Sequence, residues 1–261
     1  MMNKLLAIIL LSPLAIAENI NIKAPQTDNL DSLMFVGNSF FYYNNSLHNH
    51  LRKIISGDES VSTINTRSVT INGSSLSWHS VDAYLDNKNI GSFRIDSNND
   101  NKYIESKDTS IDAVIFMDCS LCPIHPQTKD SFHKYVAKHS KTIRAKGAEP
   151  MLFMSWPYKN KKDMVYELRE EFIKAANTNN ILLIPAGEAF HNLNTTHPEI
   201  NLYTSDKRHP SKEGTYLAAA VVFGTLFQKQ TEGNKAIMDL DQDVALKIQK
   251  VADKTVSEFF N

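Results

Sequence analysis

The run Ser32-Leu33-Met34-Phe35-Val36-Gly37-Asn38-Ser39 decides how this chain is read. Its apolar residues continue unbroken from Leu33 to Val36, the pattern of a strand buried on both faces, and such strands belong to parallel sheets. The run stops abruptly at Gly-Asn-Ser, which reads as a tight turn with a serine hydroxyl at its tip. Much later, Asp206-Lys207-Arg208-His209-Pro210 sets an Asp and a His three residues apart just ahead of a helix, so both can share one loop. Serine supplies a nucleophile, histidine a base, and aspartate orients the base. The two segments together predict a serine hydrolase.

The rest of the chain fits the same frame. Residues 46–56 carry Leu47, Leu51, Ile54 and Ile55 at helical spacing, and residues 61–71 are extended and rich in Val, Ile and Thr. A helix is predicted over 76–85, with Trp78, Val81 and Leu85, and a polar, Asn-rich surface excursion over 86–110. Residues 111–117 form a second apolar strand, interrupted only by Asp112. An amphipathic helix over 131–146 ends at Gly147. Strands at 151–154 and 181–184 bracket a helix at 164–177, and Pro185 stops the last of them. Residues 186–210 read as a long irregular segment, of the kind that often carries function. Helices at 213–228 and 244–260 close the chain. Alternating strands and helices imply a parallel sheet covered on both faces, with ligands bound beyond the carboxyl ends of the strands. Ser39, Gly73, Cys119, Ser155 and the 186–210 segment all fall there.

Residues 1–17 stand apart. Lys4 precedes the apolar stretch Leu5–Leu11, and Ala15-Ile16-Ala17 is a small-x-small cleavage site, the layout of a secretory signal peptide. The apolar stretch is short for a membrane span and Ser12-Pro13 interrupts it. The expectation is therefore an exported protein, periplasmic or secreted, with residues 18–261 forming one domain and no stable membrane span after cleavage. The formal net charge is −1 and there is no long basic run, which excludes nucleic acid as the implied partner. The two cysteines, Cys119 and Cys122, are followed by Pro123 and Pro126. They read as a loop cross-link or as two reduced thiols. No second Cys pair exists to complete a zinc site. His48 and His50 are the only close histidine pair, and two residues apart on a helix they do not face each other. No metal and no organic cofactor is implied.

The nucleophile lacks the Gly-x-Ser-x-Gly elbow of an α/β-hydrolase. The order Ser, Asp, His, with the last two adjacent, resembles instead the SGNH (GDSL-like) hydrolase superfamily. Gly37-Asn38-Ser39 is similar to its first motif, Gly-Asp-Ser, with Asn in place of Asp. Asp206-Lys207-Arg208-His209 is similar to its last motif, Asp-x-x-His. The wider stretch from Leu202 to Ala219, and Asn72-Gly73-Ser74-Ser75-Leu76 followed by His79, resemble an uncharacterised branch of that superfamily. The resemblance spans most of residues 32–228. It implies a flavodoxin-like three-layer α/β/α fold with a central parallel sheet, and an ester-hydrolysing enzyme acting on an O-acetylated carbohydrate or a small acyl ester. It implies Ser39, Asp206 and His209 as the triad, with the backbone N–H groups of Ser39 and Gly73 facing the oxyanion. One block departs. The family's Gly-x-Asn-Asp motif, whose Asn also donates to the oxyanion, is replaced by Asp118-Cys119-Ser120-Leu121-Cys122. Ser120 is the candidate substitute, since losing one such donor can cost on the order of 100-fold in rate.

Each candidate has a plainer alternative. Gly-Asn-Ser is also a common turn, and Asp206 and His209 can cap a loop. Asn38 and His79 line the expected pocket, although a histidine packed on a helix face fits equally well. Trp156 and Tyr203 flank strand-end loops, where they either stack on substrate or simply pack. The rival functions are a non-catalytic ligand-binding domain that lost the oxyanion Asn, and a thiol–disulfide protein using Cys119 and Cys122.

Overall fold

Five strands form one parallel sheet: β1 (Ser32–Gly37), β2 (Asn65–Thr70), β5 (Ala113–Phe116), β6 (Glu149–Phe153) and β7 (Leu182–Ile184), in the order β2-β1-β5-β6-β7. A separate antiparallel hairpin, β3 (Arg94–Asp96) with β4 (Lys102–Ile104), lies in the polar excursion. The computed structural model describes residues 19–87, 89–90, 94–104 and 110–261. The predicted signal segment, residues 1–17, lies outside the described residues, as does part of the 86–110 excursion.

The apolar run at 33–36 buries both of its faces. Leu33 and Phe35 pack with α2 (Leu47–Ser56), α6 (Ala186–Thr196), α7 (Lys212–Phe227) and α8 (Gln242–Phe260). Met34 and Val36 pack on the opposite face with α3 (Val81–Asp86), α4 (Lys129–Ala145) and α5 (Met164–Asn179). Successive residues of a strand point to opposite faces, so one continuous apolar run supplies both cores of a three-layer α/β/α fold. The helix placement follows from handedness. The chain steps from β1 to β2 in one direction and then crosses back to β5, and right-handed crossovers in opposite directions put their helices on opposite faces. The reversal makes β1 and β5 the switch point, where the loops diverge and leave a crevice.

α7 is apolar on all sides because it is covered on all sides. It packs on α2, α6 and α8, and every residue from Gly214 to Leu226 is buried. The start of the described chain is also fastened, since Asn177 accepts from the N–H of Asn21 and donates to the carbonyl of Asn19.

Two predicted elements differ. Residues 186–210 are not irregular throughout, because Ala186–Thr196 is the helix α6. Pro185 stops β7 but also opens this helix, where a missing N–H costs nothing. The predicted helix at 76–85 is broken into a 3-10 turn, Leu76–Trp78, and α3. The break leaves Trp78 63% exposed instead of packed.

Candidate active site

Gly37 ends β1 because nothing larger fits there. A Cβ at this position would sit 2.7 Å from the Met117 side chain and 2.8 Å from the Phe41 ring. The chain then turns at Asn38, which caps the short helix α1 (Ser39–Tyr42) by accepting from the N–H of Phe40 at 3.2 Å. Ser39 is thereby the first residue of that helix, at the carboxyl edge of the sheet.

The Asn38 amide does more than cap. Its Nδ2 donates to the carbonyls of Ser74, at 3.1 Å, and Asp118, at 3.2 Å. The strands that lead to those loops flank β1 on either side, so Asn38 fastens both neighbouring loops to the nucleophile turn. Asp118 reinforces the arrangement. Its Oδ1 accepts from the N–H of Leu76 at 2.9 Å and of Cys119 at 2.7 Å. Burial pushes this carboxyl up to about 6, although both N–H groups pull it down.

Ser39 Oγ lies 2.8 Å from Nε2 of His209. Nδ1 of the same ring meets Oδ2 of Asp206. With Nδ1–H directed at the carboxylate, Nε2 is the acceptor for the serine hydroxyl, the tautomer a general base needs. Asp206 is itself locked. Its Oδ1 accepts from the N–H groups of Arg208 and His209, each at 3.0 Å, and from the Thr204 hydroxyl at 2.8 Å. Burial opposes ionisation of Asp206, but the bond from His209 and these three further donors outweigh it and hold the carboxyl well below the usual carboxylate range. The aspartate is therefore charged wherever the histidine needs it.

The imidazole is fixed by packing as well. Tyr43 stacks on it at 4.3 Å with the planes 7° apart, and Phe40 meets its edge at 5.6 Å. Asn44 ties the two halves of the site together. Its Nδ2 donates to the carbonyls of Pro210 and Ser211 and to Oγ1 of Thr215, each at 2.8 Å.

Gly73 adopts φ +66, the left-handed region, where a side chain is strained even though a Cβ would meet nothing within 4 Å. Among the described residues, neither the N–H of Ser39 nor that of Gly73 has a hydrogen-bond acceptor. Two free donors thus lie on loops that Asn38 holds together. Ser120 Oγ is 2.7 Å from the hydroxyl of Tyr158. Cys119 and Cys122 form a disulfide. Asp118, Cys119 and Cys122 are the one close grouping of metal-ligand types among the described residues, and with both sulfurs joined it offers a single carboxylate.

No protein-family sequence model matches the chain, and no curated protein matches it in sequence. Solved structures do match. A DUF4886 family protein from Bacteroides uniformis superposes with a TM-score of 0.64 at 19% identity, over 87% of this chain and 94% of that one. A protein from Slackia heliotrinireducens assigned as an SGNH hydrolase superposes with a TM-score of 0.57 at 22% identity, over 76% and 99%. The chain has the SGNH hydrolase fold. An acetyl xylan esterase shares that fold with a TM-score of 0.53 at 16% identity, over 74% and 98%.

On this SGNH scaffold the predicted residues separate into two groups. Ser39, Asp206 and His209 come together, and the loops carrying Gly73 and Ser120 flank them. The residues expected to contact substrate do not line an open surface. Trp156 is fully buried, stacked between Phe40 at 4.5 Å and Phe190 at 4.1 Å. Its Nε1 donates to the carbonyl of Arg208 at 3.0 Å, so it supports the histidine loop from below. Tyr203 is buried too, donating to the carbonyl of Pro157 and accepting from Asn194, both at 2.9 Å. Asn38 is a loop clamp. His79 is packed: Tyr84 donates to its Nδ1 at 3.3 Å, its Nε2 meets Ser74 Oγ at 2.9 Å, and Ser74 donates to the carbonyl of Gly37 at 3.2 Å. Burial, with the neighbouring His139, lowers His79 to about 4 and keeps it neutral, while its bond toward Gly37 opposes the shift. Sequence reasoning missed Tyr43 and Asn44. Their only local signal was position, directly after the nucleophile turn. It also misplaced Trp78, the exposed tryptophan five residues past Gly73.

Proposed function

We propose that this protein is an exported serine esterase of the SGNH type that hydrolyses an ester through an acyl-enzyme on Ser39. The observation that carries the proposal is the continuous hydrogen-bonded line from Asp206 through His209 to Ser39, set at the carboxyl edge of a parallel sheet. A serine hydroxyl is a weak nucleophile until a base within hydrogen-bond reach removes its proton. His209 takes that proton as Oγ attacks the ester carbonyl, and Asp206 stabilises the imidazolium. Oxyanion charge develops toward the free N–H groups of Ser39 and Gly73. The Ser120 hydroxyl is the third donor, available when Tyr158 donates to Ser120. His209 then protonates the leaving alcohol. Water, activated by the same imidazole, releases the acid and restores Ser39.

The substrate we propose is an O-acetylated carbohydrate, with a small acyl ester second. Exposed Trp78 offers a flat apolar face for a sugar ring beside the Gly73 loop. The signal-like residues 1–17 and the Cys119–Cys122 disulfide support an oxidising compartment outside the cytoplasm. The missing Asn of the third motif favours a second reading, a binding domain without turnover.

Hydrolysis of p-nitrophenyl acetate separates the two. The esterase reading expects turnover by the wild type, loss of it in Ser39→Ala, and a roughly tenfold to thousandfold lower kcat with little change in KM in Ser120→Ala. Equal hydrolysis by wild type and Ser39→Ala ends the esterase reading. The binding-domain reading expects no turnover by any of the three.

A further inference from the structure

A cavity lies apart from the Ser39 hydroxyl, on the face covered by α2 and α7. It measures about 950 Å³ and opens between α2, the first residue of α7 and the segment that joins α7 to α8. Such a volume is at the upper end for small-molecule sites, large enough for an oligosaccharide fragment and far larger than a single inorganic ion needs.

Its charge is one-sided. Arg52 and Lys53 project from α2, Lys212 from the start of α7, and Lys235 from the joining segment, against Asp239 as the one carboxylate in the lining. Among the described residues none of the four cations has an ion-pair partner. Four unpaired cations around one concavity repel one another, and an anion relieves that repulsion. The wall also holds an unmet polar atom. His50 is buried and donates Nε2–H to the carbonyl of Asn44 at 2.8 Å, which leaves Nδ1 buried without a partner. Successive non-glycine residues on two walls, Asn44 with Asn45 and Met238 with Asp239, are held in the left-handed region. Backbone in that state persists where its surroundings fix it, and it gathers at binding sites.

We propose that this cavity binds a multiply charged anion of sugar size, a polycarboxylated or phosphorylated carbohydrate. The cations provide the attraction, and the size of the cavity selects against a lone small ion. The site is not isolated from the chemistry. Asn44 lines it while its side chain clamps Pro210 and Ser211, and Lys212 lies three residues beyond His209.

Titration calorimetry on the full chain tests this with two probes, fructose 1,6-bisphosphate and tri-galacturonate. Saturable binding of either is expected, weakening as NaCl rises from about 50 to about 500 mM. The tighter probe identifies phosphate or carboxylate as the preferred anion. Lys53→Gln/Lys235→Gln should weaken binding at least tenfold. Arg52→Gln/Lys212→Gln should do the same, and keeps the test open if the first pair misfolds. Ser39→Ala should bind as the wild type does, so a failure of the esterase reading leaves this result untouched. Absence of saturable binding by both probes, unchanged binding in both charge variants, or lost binding in Ser39→Ala would each overturn the proposal.

Discussion

Replacing Asp118 with asparagine should stabilise the protein at neutral pH and leave it nearly unchanged in acid. Asp118 is 3% exposed, and its carboxyl titrates near 6 in the folded chain against an ordinary 3.8. The sign follows from proton binding. Below about pH 4 the carboxyl is protonated in both folded and unfolded chains. Between about 4 and 6 the unfolded chain has released its proton while the folded chain retains it, so stability falls as pH rises through this window. Above 6 both forms are ionised and the folded protein carries the full cost of a buried charge. At 1.36 kcal/mol for each pH unit that separates the two values, that cost is about 3 kcal/mol. Asparagine has no charge to bury and keeps an acceptor for the N–H groups of Leu76 and Cys119, so the loop that carries Gly73 should hold its place. Urea denaturation of both proteins from pH 4 to pH 8 measures the effect. His79 titrates in the opposite sense over an overlapping range, but it is common to both proteins and cancels in the difference. The stability difference should grow by about 3 kcal/mol between pH 4 and pH 7. A difference that stays flat would refute the reasoning.

Asn38→Asp, which restores the residue usual in the superfamily's first motif, should be harmful here, because a carboxylate would face the carbonyls of Ser74 and Asp118 in place of a donor. A loss of about 2–4 kcal/mol in denaturation and at least a tenfold fall in kcat are expected. Asn44→Ala should free the histidine loop and lower kcat by about tenfold to a hundredfold with KM little changed, a split that steady-state kinetics reads directly. Replacing Cys119 and Cys122 together by serine should cost only about 1–2 kcal/mol, because the bond closes a very short loop, and turnover should survive.

The parts of the fold that depend on local pattern were legible. The run at 33–36 announces a strand buried on both faces, and the Asp206–His209 spacing fits a single loop whatever surrounds it. α6 was hidden by its composition. Gly187, Asn192 and Asn194 lower helix propensity, and Pro185 reads as a stop when it is also a start. Yet Gly187 is required, since a Cβ there would lie 2.3 Å from the carbonyl of Ser155. The aromatic residues misled for a different reason. Trp156 is sealed by Phe40 and Phe190, which arrive from distant parts of the chain, so nothing near Trp156 in sequence reveals its burial. The Asn44 clamp spans more than 160 residues and has no local signature. Histidine 79 shows the same limit, because its neutrality comes from burial beside His139.

The central claim is that Ser39 is an activated nucleophile, and covalent labelling tests it most directly. A fluorophosphonate probe reacts with a serine whose proton has been taken by an adjacent base and needs no knowledge of the substrate. Peptide mass mapping of the labelled wild type should place the adduct on Ser39. The adduct should be abolished in Ser39→Ala and strongly reduced in His209→Ala, with both variants folded. A folded wild type that takes up no probe, or that labels equally well without His209, would contradict the account.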